Sequence, residues 1–149
     1  MCRWCLCVKK SIFWSGTSKL NRPDSATGSS LTCCALEDEA EAKRLAKQHA
    51  VFYLGGMGTY YRDNLARQGH EEVANAIYDN YQDGDREAAM EALPDDLLEQ
   101  LVVWGTPEGA REHFDRFTDV EGVEAVSVSF PRAANLEQIE STMRALQPR

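Results

Sequence analysis

The sequence predicts a mixed α/β fold that is mostly helical and forms part of a doubly wound or barrel protein. Two strand patterns, at 31–35 and at 123–130, are separated by roughly 85 residues of helical pattern. The second strand lies between two helix patterns, which is typical of the final repeat of such folds. A two-stranded sheet is marginal by itself, so we expect the strands that complete the sheet to lie outside this sequence.

The first strand pattern, Leu31–Ala35, contains small and β-prone residues and is followed by the acidic segment Glu37–Glu39. Acidic residues stabilise a helix amino terminus and basic ones its later turns, so we expect a helix from residue 37 to about residue 54. The segment Gly55–Gly58 ends this helix. We interpret it as a close helix-to-helix turn, and a row of backbone amides that binds an anion is the alternative.

Glycine and proline residues divide the rest of the chain into further helices. Thr106 and Pro107 form a typical helix start, and Asn135 with Gln138 forms a capping box. Pro131 ends the second strand. We expect helices over 59–68, 71–82 and 85–93, a short apolar helix from Pro94 that Gly105 closes, a helix over 106–122 and a last helix after residue 135.

Charge and cysteine content divide the chain of 149 residues near residue 30. Residues 1–35 carry a net charge of +4 and all five cysteines, whereas residues 36–149 carry −12 and no cysteine. The serine-, glycine- and proline-containing stretch before residue 30 has no sustained helical or strand period. We therefore expect residues 1–30 to be a disordered or non-native extension and residues 31–149 to form the folded domain.

The acidic balance argues against nucleic acid and against an anionic membrane as partners, because both attract basic surfaces. The longest apolar and glycine run, Ala50–Gly58, is far shorter than the roughly 18 residues that a membrane span needs. The cysteines lack the two spaced pairs of a zinc site. Because free thiols favour a reducing compartment, we expect a cytoplasmic protein without a metal.

The domain at 36–149 has only two lysines beside nine arginines, and its acidic residues are scattered over the predicted helices. Such a surface stays hydrated in concentrated salt, which screens the repulsion between its carboxylates. We expect a protein of a halophilic archaeon, and an acidic protein of an ordinary cytoplasm is the alternative.

Aromatic residues and histidines provide no catalytic motif. The three histidines are far apart in the sequence and match no metal or triad spacing, so the sequence identifies no catalytic residue.

Six aromatic residues occur at helical spacing. We interpret them as a helical core or a subunit contact, with cofactor stacking as the alternative: Phe52, Tyr53, Tyr60, Tyr61, Tyr78 and Tyr81.

Five short segments have a characteristic order and spacing: Phe52–Tyr61 (FYLGGMGTYY), Gln68–Glu71, Gly84–Asp85, Val102–Glu108 and Ser129–Pro131. Together they resemble the carboxy-terminal part of luciferase-like monooxygenases. The likeness is greatest to the haloarchaeal coenzyme F420-dependent branch, which includes methylenetetrahydromethanopterin reductase. It covers about residues 31–148 and does not extend to residues 1–30.

The resemblance implies a carboxy-terminal fragment of a (β/α)8 barrel that contains strand seven, a helical insertion, strand eight and the final helix. It also implies hydride transfer with coenzyme F420, or with FMN as the alternative, to or from a small organic substrate such as a methylene-tetrahydropterin. The complete family member is expected to be a homo-oligomer. With about six strands outside the chain, we expect a truncated protein that is inactive alone; the alternative is a non-catalytic helical interaction module or an inactive pseudoenzyme fragment.

Barrel enzymes hold phosphate after strands seven and eight, at the carboxyl ends of the strands. In this chain those places are residues 33–37 and 129–135. The candidate cofactor-binding residues are Ser129, Arg132 and Asn135, since arginine offers paired donors and the other two offer single hydrogen bonds. The alternative is that Arg132 pairs with a surface acid and that Asn135 only caps its helix.

The acidic surface predicts a dependence of folding on salt. We expect the chain to lose helical circular dichroism when sodium chloride falls below about 1 M, because its carboxylates then repel one another unscreened. An unchanged spectrum in dilute buffer would contradict the halophile interpretation.

Overall fold

The computed structural model describes residues 28–119 and 125–148. Most of the expected extension at 1–30 lies outside these residues, although its last three residues belong to a strand. The elements follow in the order β1 (Gly28–Ala35), α1 (Glu39–Val51), α2 (Tyr60–Leu65), α3 (Glu71–Gln82), α4 (Arg86–Glu91), α5 (Asp95–Leu101), β2 (Val103–Gly105), α6 (Pro107–Thr118), β3 (Ala125–Ser129) and α7 (Leu136–Ala145).

The strands form one parallel sheet in the order β2–β1–β3. Residues Gly28–Thr32 of β1 pair with Ala125–Ser129, and Cys33–Ala35 pair with Val103–Gly105 on the opposite edge. The two strands that the sequence predicts are therefore parallel neighbours. The fold is mixed α/β and mostly helical, as expected.

One predicted helix is partly wrong. The sequence places Val103 and Trp104 in a helix that Gly105 closes, but α5 ends at Leu101 and Val102 is already extended, with φ −138° and ψ 137°. Residues Val103–Gly105 form β2, so the described residues contain three strands and not two. The open edge of β1 supplies hydrogen-bond partners for this segment, and β-branched residues accept the extended state readily.

Helices cover both faces of β1, as parallel strands require. Side chains alternate along a strand, and Leu31, Cys33 and Ala35 pack with α6 and α7 through Phe114, Phe117 and Leu146. On the other face, Cys34 and Leu36 pack with Ala42 and Leu45 of α1. A separate cluster joins the helices between β1 and β2 and includes Leu54, Leu65, Ile77, Leu93 and Leu98.

The paired glycines after α1 allow α3 to pack very closely. They lie in a π-helical turn, Phe52–Gly56. A Cβ atom at Gly55 would lie 2.4 Å from the Cβ of Tyr81, and one at Gly56 would lie 2.8 Å from the Tyr81 hydroxyl oxygen. The side-chain amide of Gln82 also donates to the Gly55 carbonyl at 2.7 Å. The glycine segment lies between α1 and α2, as the predicted helix-to-helix turn requires, but the helix continues as a π-helical turn through Gly56 before it ends.

At the carboxyl end of β1, beyond the end of the neighbouring strand β3, the backbone of β1 forms hydrogen bonds with helix α7. Because β3 stops opposite Thr32, no strand reaches Ala35 on that side within the described residues. The Ala35 N–H donates to Thr142 Oγ1 at 3.0 Å, and Ser141 Oγ donates to the Ala35 carbonyl at 3.1 Å. Hydroxyl groups of α7 thus replace a strand at this point.

Among the residues described, no helix combines the length and the apolar character that crossing a membrane demands.

Thr142→Val should lower the free energy of unfolding by about 2 kcal/mol, because the new side chain has the same shape but leaves the buried Ala35 N–H without an acceptor. Thr142→Ser keeps the acceptor and loses one methyl group, so it should cost about 1 kcal/mol. Urea denaturation measures both. A valine variant as stable as the original chain would show that this hydrogen bond does not hold α7.

Candidate functional site

A pocket of about 340 Å³ lies between α1, the end of α3, the start of α4 and the loop after β3. This loop follows the carboxyl end of β3. Three arginines from separate elements line the pocket, together with a histidine and two aromatic rings. We call it the arginine pocket, and its principal residues are Arg44, His49, Phe52, Tyr81, Arg86 and Arg132.

Arg132 is the predicted cofactor-binding residue that lines this pocket. Its guanidinium carbon lies 4.2 Å from the centroid of the Phe52 ring, close enough for a cation–π contact. Within the described residues, Arg132 forms no ion pair with a carboxylate. The described residues therefore do not support the alternative interpretation, in which Arg132 pairs with a surface acid.

Ser129 lies at the end of β3 and connects to the pocket through other side chains. Its Oγ is 3.0 Å from Thr32 Oγ1 and 3.3 Å from the Leu31 carbonyl oxygen, and Thr32 Oγ1 is 3.3 Å from His49 Nε2. A carbonyl oxygen can only accept, so all three contacts form when Ser129 donates to Leu31, Thr32 donates to Ser129 and His49 Nε2 donates to Thr32. These hydrogen bonds link β3 and β1 to His49, which lines the pocket.

Asn135 caps α7 and is not among the residues that line the arginine pocket. Its side-chain oxygen accepts from the Gln138 N–H at 2.9 Å, and the Gln138 side-chain oxygen accepts from the Asn135 N–H at 2.9 Å. This is the capping box that the sequence predicts. Of the three candidate residues, the structure thus brings Arg132 to the pocket, places Ser129 behind its wall and uses Asn135 as a cap.

His49 is 7% exposed, and its ring packs against Tyr53 at a centroid distance of 4.9 Å. Burial, and to a lesser extent the charge of Arg132, lowers the pKa of His49 to about 4. The ring is uncharged at neutral pH. It therefore adds a neutral hydrogen-bonding group, and no further positive charge, beside Arg132.

Arg44 and Arg86 also line the pocket, and reasoning from the sequence did not identify them. Arg44 forms two hydrogen bonds with Glu41, at 2.7 and 2.8 Å. The Arg86 guanidinium carbon lies 3.4 Å from the centroid of the Tyr81 ring, across the Gly84 turn. The sequence signal is weak, since a single arginine at the start of a helix belongs to no binding motif. Only the packing of α3 brings Arg86 to this place.

The two cysteines at the end of β1, Cys33 and Cys34, are buried free thiols. Burial raises the pKa of each to about 12. Both thiols are protonated at neutral pH and are therefore weak nucleophiles. In the part of the chain that the structure describes, no three histidine, cysteine or acidic side chains group together as metal ligands.

The sequence matches the family model of luciferase-like monooxygenases over residues 17–123. It is also similar to a protein of Mycobacterium tuberculosis (strain ATCC 25618 / H37Rv) whose name describes it as a coenzyme F420-dependent oxidoreductase. The two are 28% identical over 80 residues, which is 51% of this chain and 23% of the relative. The aligned part of the chain thus spans about a quarter of the length of that relative.

The shifted pKa of His49 predicts a loss of stability at mildly acid pH. Between about pH 6.5 and pH 4 the unfolded chain binds a proton at this histidine and the folded chain does not, so stability falls as the pH falls. The contribution lost between pH 7 and pH 5 should be about 2 kcal/mol.

His49→Gln should remove this contribution. Urea denaturation of both proteins at the two pH values measures it, and the difference between them isolates His49 from His113, whose pKa is also lowered by burial. Equal losses in the two proteins would show that His49 titrates normally in the folded state.

Proposed function

The chain belongs to the luciferase-like monooxygenase family, and from that membership we propose that it is part of an oxidoreductase that uses coenzyme F420, with FMN as the alternative cofactor. The name of the mycobacterial relative supports the first cofactor. Either cofactor, when bound, supplies a ring that exchanges hydride with a carbon of a small organic substrate, such as a methylene-tetrahydropterin.

In this proposal, β1 and β3 are successive strands of a (β/α)8 barrel, and the segment between them contains the helical insertion α1–α5, the short strand β2 and helix α6. The parallel pairing of β1 with β3 supports this arrangement. The side chains of β3 are exposed or only half-buried, whereas parallel strands are normally covered on both faces. The proposed barrel therefore needs further strands beside β3, and the chain alone is inactive. We further propose that the complete protein is a homo-oligomer in the cytoplasm of a halophile.

The single observation that carries the proposal is the position of Arg132. This residue lies in the loop that follows the carboxyl end of β3 at Ser129, and barrel enzymes place their active face at the carboxyl ends of their strands. Its guanidinium faces the arginine pocket without a carboxylate partner in the described residues. A guanidinium of this kind fits the phosphate group of F420 or FMN, because it offers paired donors to two oxygens.

The other predicted residues act indirectly in this proposal. Ser129 holds Thr32, and Thr32 holds the neutral ring of His49 against the pocket. Asn135 fixes the start of α7 and thereby the loop that carries Arg132. A volume of about 340 Å³ is at the low end of ligand pockets, so these residues hold the anionic part of the cofactor and leave its ring to the missing strands.

A non-catalytic helical interaction module is the second candidate function. One observation favours it: most of the buried apolar residues in the helices between β1 and β2 form one hydrophobic cluster, which is distinct from the clusters packed on the sheet and meets one of them at Trp104. A unit with its own core can persist without the enzyme.

A hybrid protein tests the first function. Residues 28–149 replace the matching part of the mycobacterial relative, and F420 and FMN are titrated by absorbance while circular dichroism monitors folding. We expect micromolar binding of F420 by the hybrid and no micromolar binding by the isolated chain. Arg132→Ala should weaken binding about ten-fold, because a charge-assisted contact is lost.

Arg116→Ala is the matched control, since Arg116 is exposed as Arg132 is but lies on α6 and does not line the arginine pocket. Its effect should stay below about two-fold. Equal effects of the two substitutions would contradict the role of Arg132. A folded hybrid that binds neither cofactor would favour the interaction module, and tighter binding of FMN would select the alternative cofactor.

A further inference from the structure

Most basic side chains of the folded domain are neutralised by a nearby carboxylate. The ion pairs are Lys43 and Lys47 with Asp95, Arg44 with Glu41, Arg62 with Asp63, Arg111 with Asp115, and Arg144 with Glu140. Arg67, Arg86 and Arg132 have no carboxylate oxygen within 4.0 Å in the ion pairs of the described residues, and Arg67 lies outside the pocket. Arg86 and Arg132 both line the arginine pocket.

Each of these two guanidinium groups lies on an aromatic ring and not on an acid. Arg86 covers Tyr81 at 3.4 Å, and Arg132 covers Phe52 at 4.2 Å. A guanidinium that stacks on a ring keeps its N–H donors in its own plane, directed away from the ring face. The donors therefore remain available to oxygen atoms of a ligand.

The ring under Arg86 is itself held firmly. Tyr81 packs against Gly55 and Gly56 at distances that leave no room for a Cβ atom on either glycine. The close contact of α3 with the π-helical turn thus sets the position of Tyr81, and Tyr81 sets that of Arg86. A donor held in place loses less conformational entropy when it binds a ligand.

The charge of the pocket is opposite to that of the chain. No aspartate or glutamate is among the residues that line it, although the chain has 24 acidic residues and a net charge of −8. A concave surface with charge of one sign concentrates ligands of the other sign. The residues that line this pocket therefore favour an anionic ligand.

We infer that Arg86 and Arg132 form a clamp for a ligand with two anionic groups, such as a diphosphate or a phosphate joined to a second acidic group. Arg132 binds one group from the loop after β3, and Arg86 binds the other from the start of α4. The inference rests on the proposed function for the role of Arg132 and adds Arg86 as a second contact. It assigns to the helical region a part in ligand recognition.

Calorimetric titration of the chain with sodium pyrophosphate and with sodium phosphate tests the clamp, in the lowest salt that keeps the chain folded. We expect pyrophosphate to bind about ten-fold more tightly than phosphate, since it reaches both guanidinium groups. Arg132→Gln should weaken both anions about ten-fold, whereas Arg86→Gln should weaken pyrophosphate to the level of phosphate and leave phosphate almost unchanged.

Arg67→Gln is the control of equal charge change, because Arg67 is exposed as Arg86 and Arg132 are but does not line the pocket. It should leave both affinities within about two-fold. If Arg86→Gln does not fold by circular dichroism, Arg86→Lys replaces it and should give an intermediate loss, since lysine keeps the charge but not the planar donors.

The clamp is overturned if neither anion binds, if pyrophosphate binds no better than phosphate, or if Arg67→Gln weakens pyrophosphate as much as Arg86→Gln. These results are separate from those of the hybrid protein. Pyrophosphate binding by the chain together with a hybrid that binds no cofactor would preserve the clamp and reject the proposed function. Cofactor binding by the hybrid, together with no effect of Arg86→Gln on pyrophosphate binding, would preserve the proposed function and reject the clamp.

Discussion

The backbone of Ala35 is the point on which the sheet and the surrounding helices depend. Its N–H and carbonyl bond to the hydroxyls of Thr142 and Ser141, and the next residue, Leu36, donates its N–H to Gly105 of β2 at 3.0 Å. A buried peptide group without a partner costs free energy. The end of β1 therefore fixes both α7 and β2, and α7 fixes the end of the loop that carries Arg132.

A second network ties the strands to the helical region. The hydroxyls of Ser129 and Thr32 connect β3 to β1, and His49 continues the network into α1. Because His49 is buried and neutral, it completes these hydrogen bonds without adding charge. The wall of the arginine pocket is thus held by side-chain contacts that also connect the two strands, which explains why the pocket lies beside the carboxyl end of β3.

The arginine pocket shows how an acidic protein keeps a positive site. A carboxylate beside Arg86 or Arg132 would compete with an anionic ligand, whereas an aromatic ring orients the guanidinium and leaves its donors available. Gly55 and Gly56 contribute to this arrangement, because the absence of a Cβ atom at both positions lets the Tyr81 ring pack at close distance. Under the proposed function, the phosphate of the cofactor is the kind of anionic group that such a pocket would bind.

The sequence by itself determined the elements whose signals are local. The caps at Thr106 and Asn135 form as predicted, because a cap joins residues only three positions apart. The strand β3, the breaks between helices and the family were also predictable. Only the tertiary structure decided that Val103–Gly105 is a strand, since its partner is the distant end of β1. It also decided that Arg86 reaches the pocket while Asn135 does not, because that depends on how α3 and α7 pack, and no short sequence pattern encodes such packing.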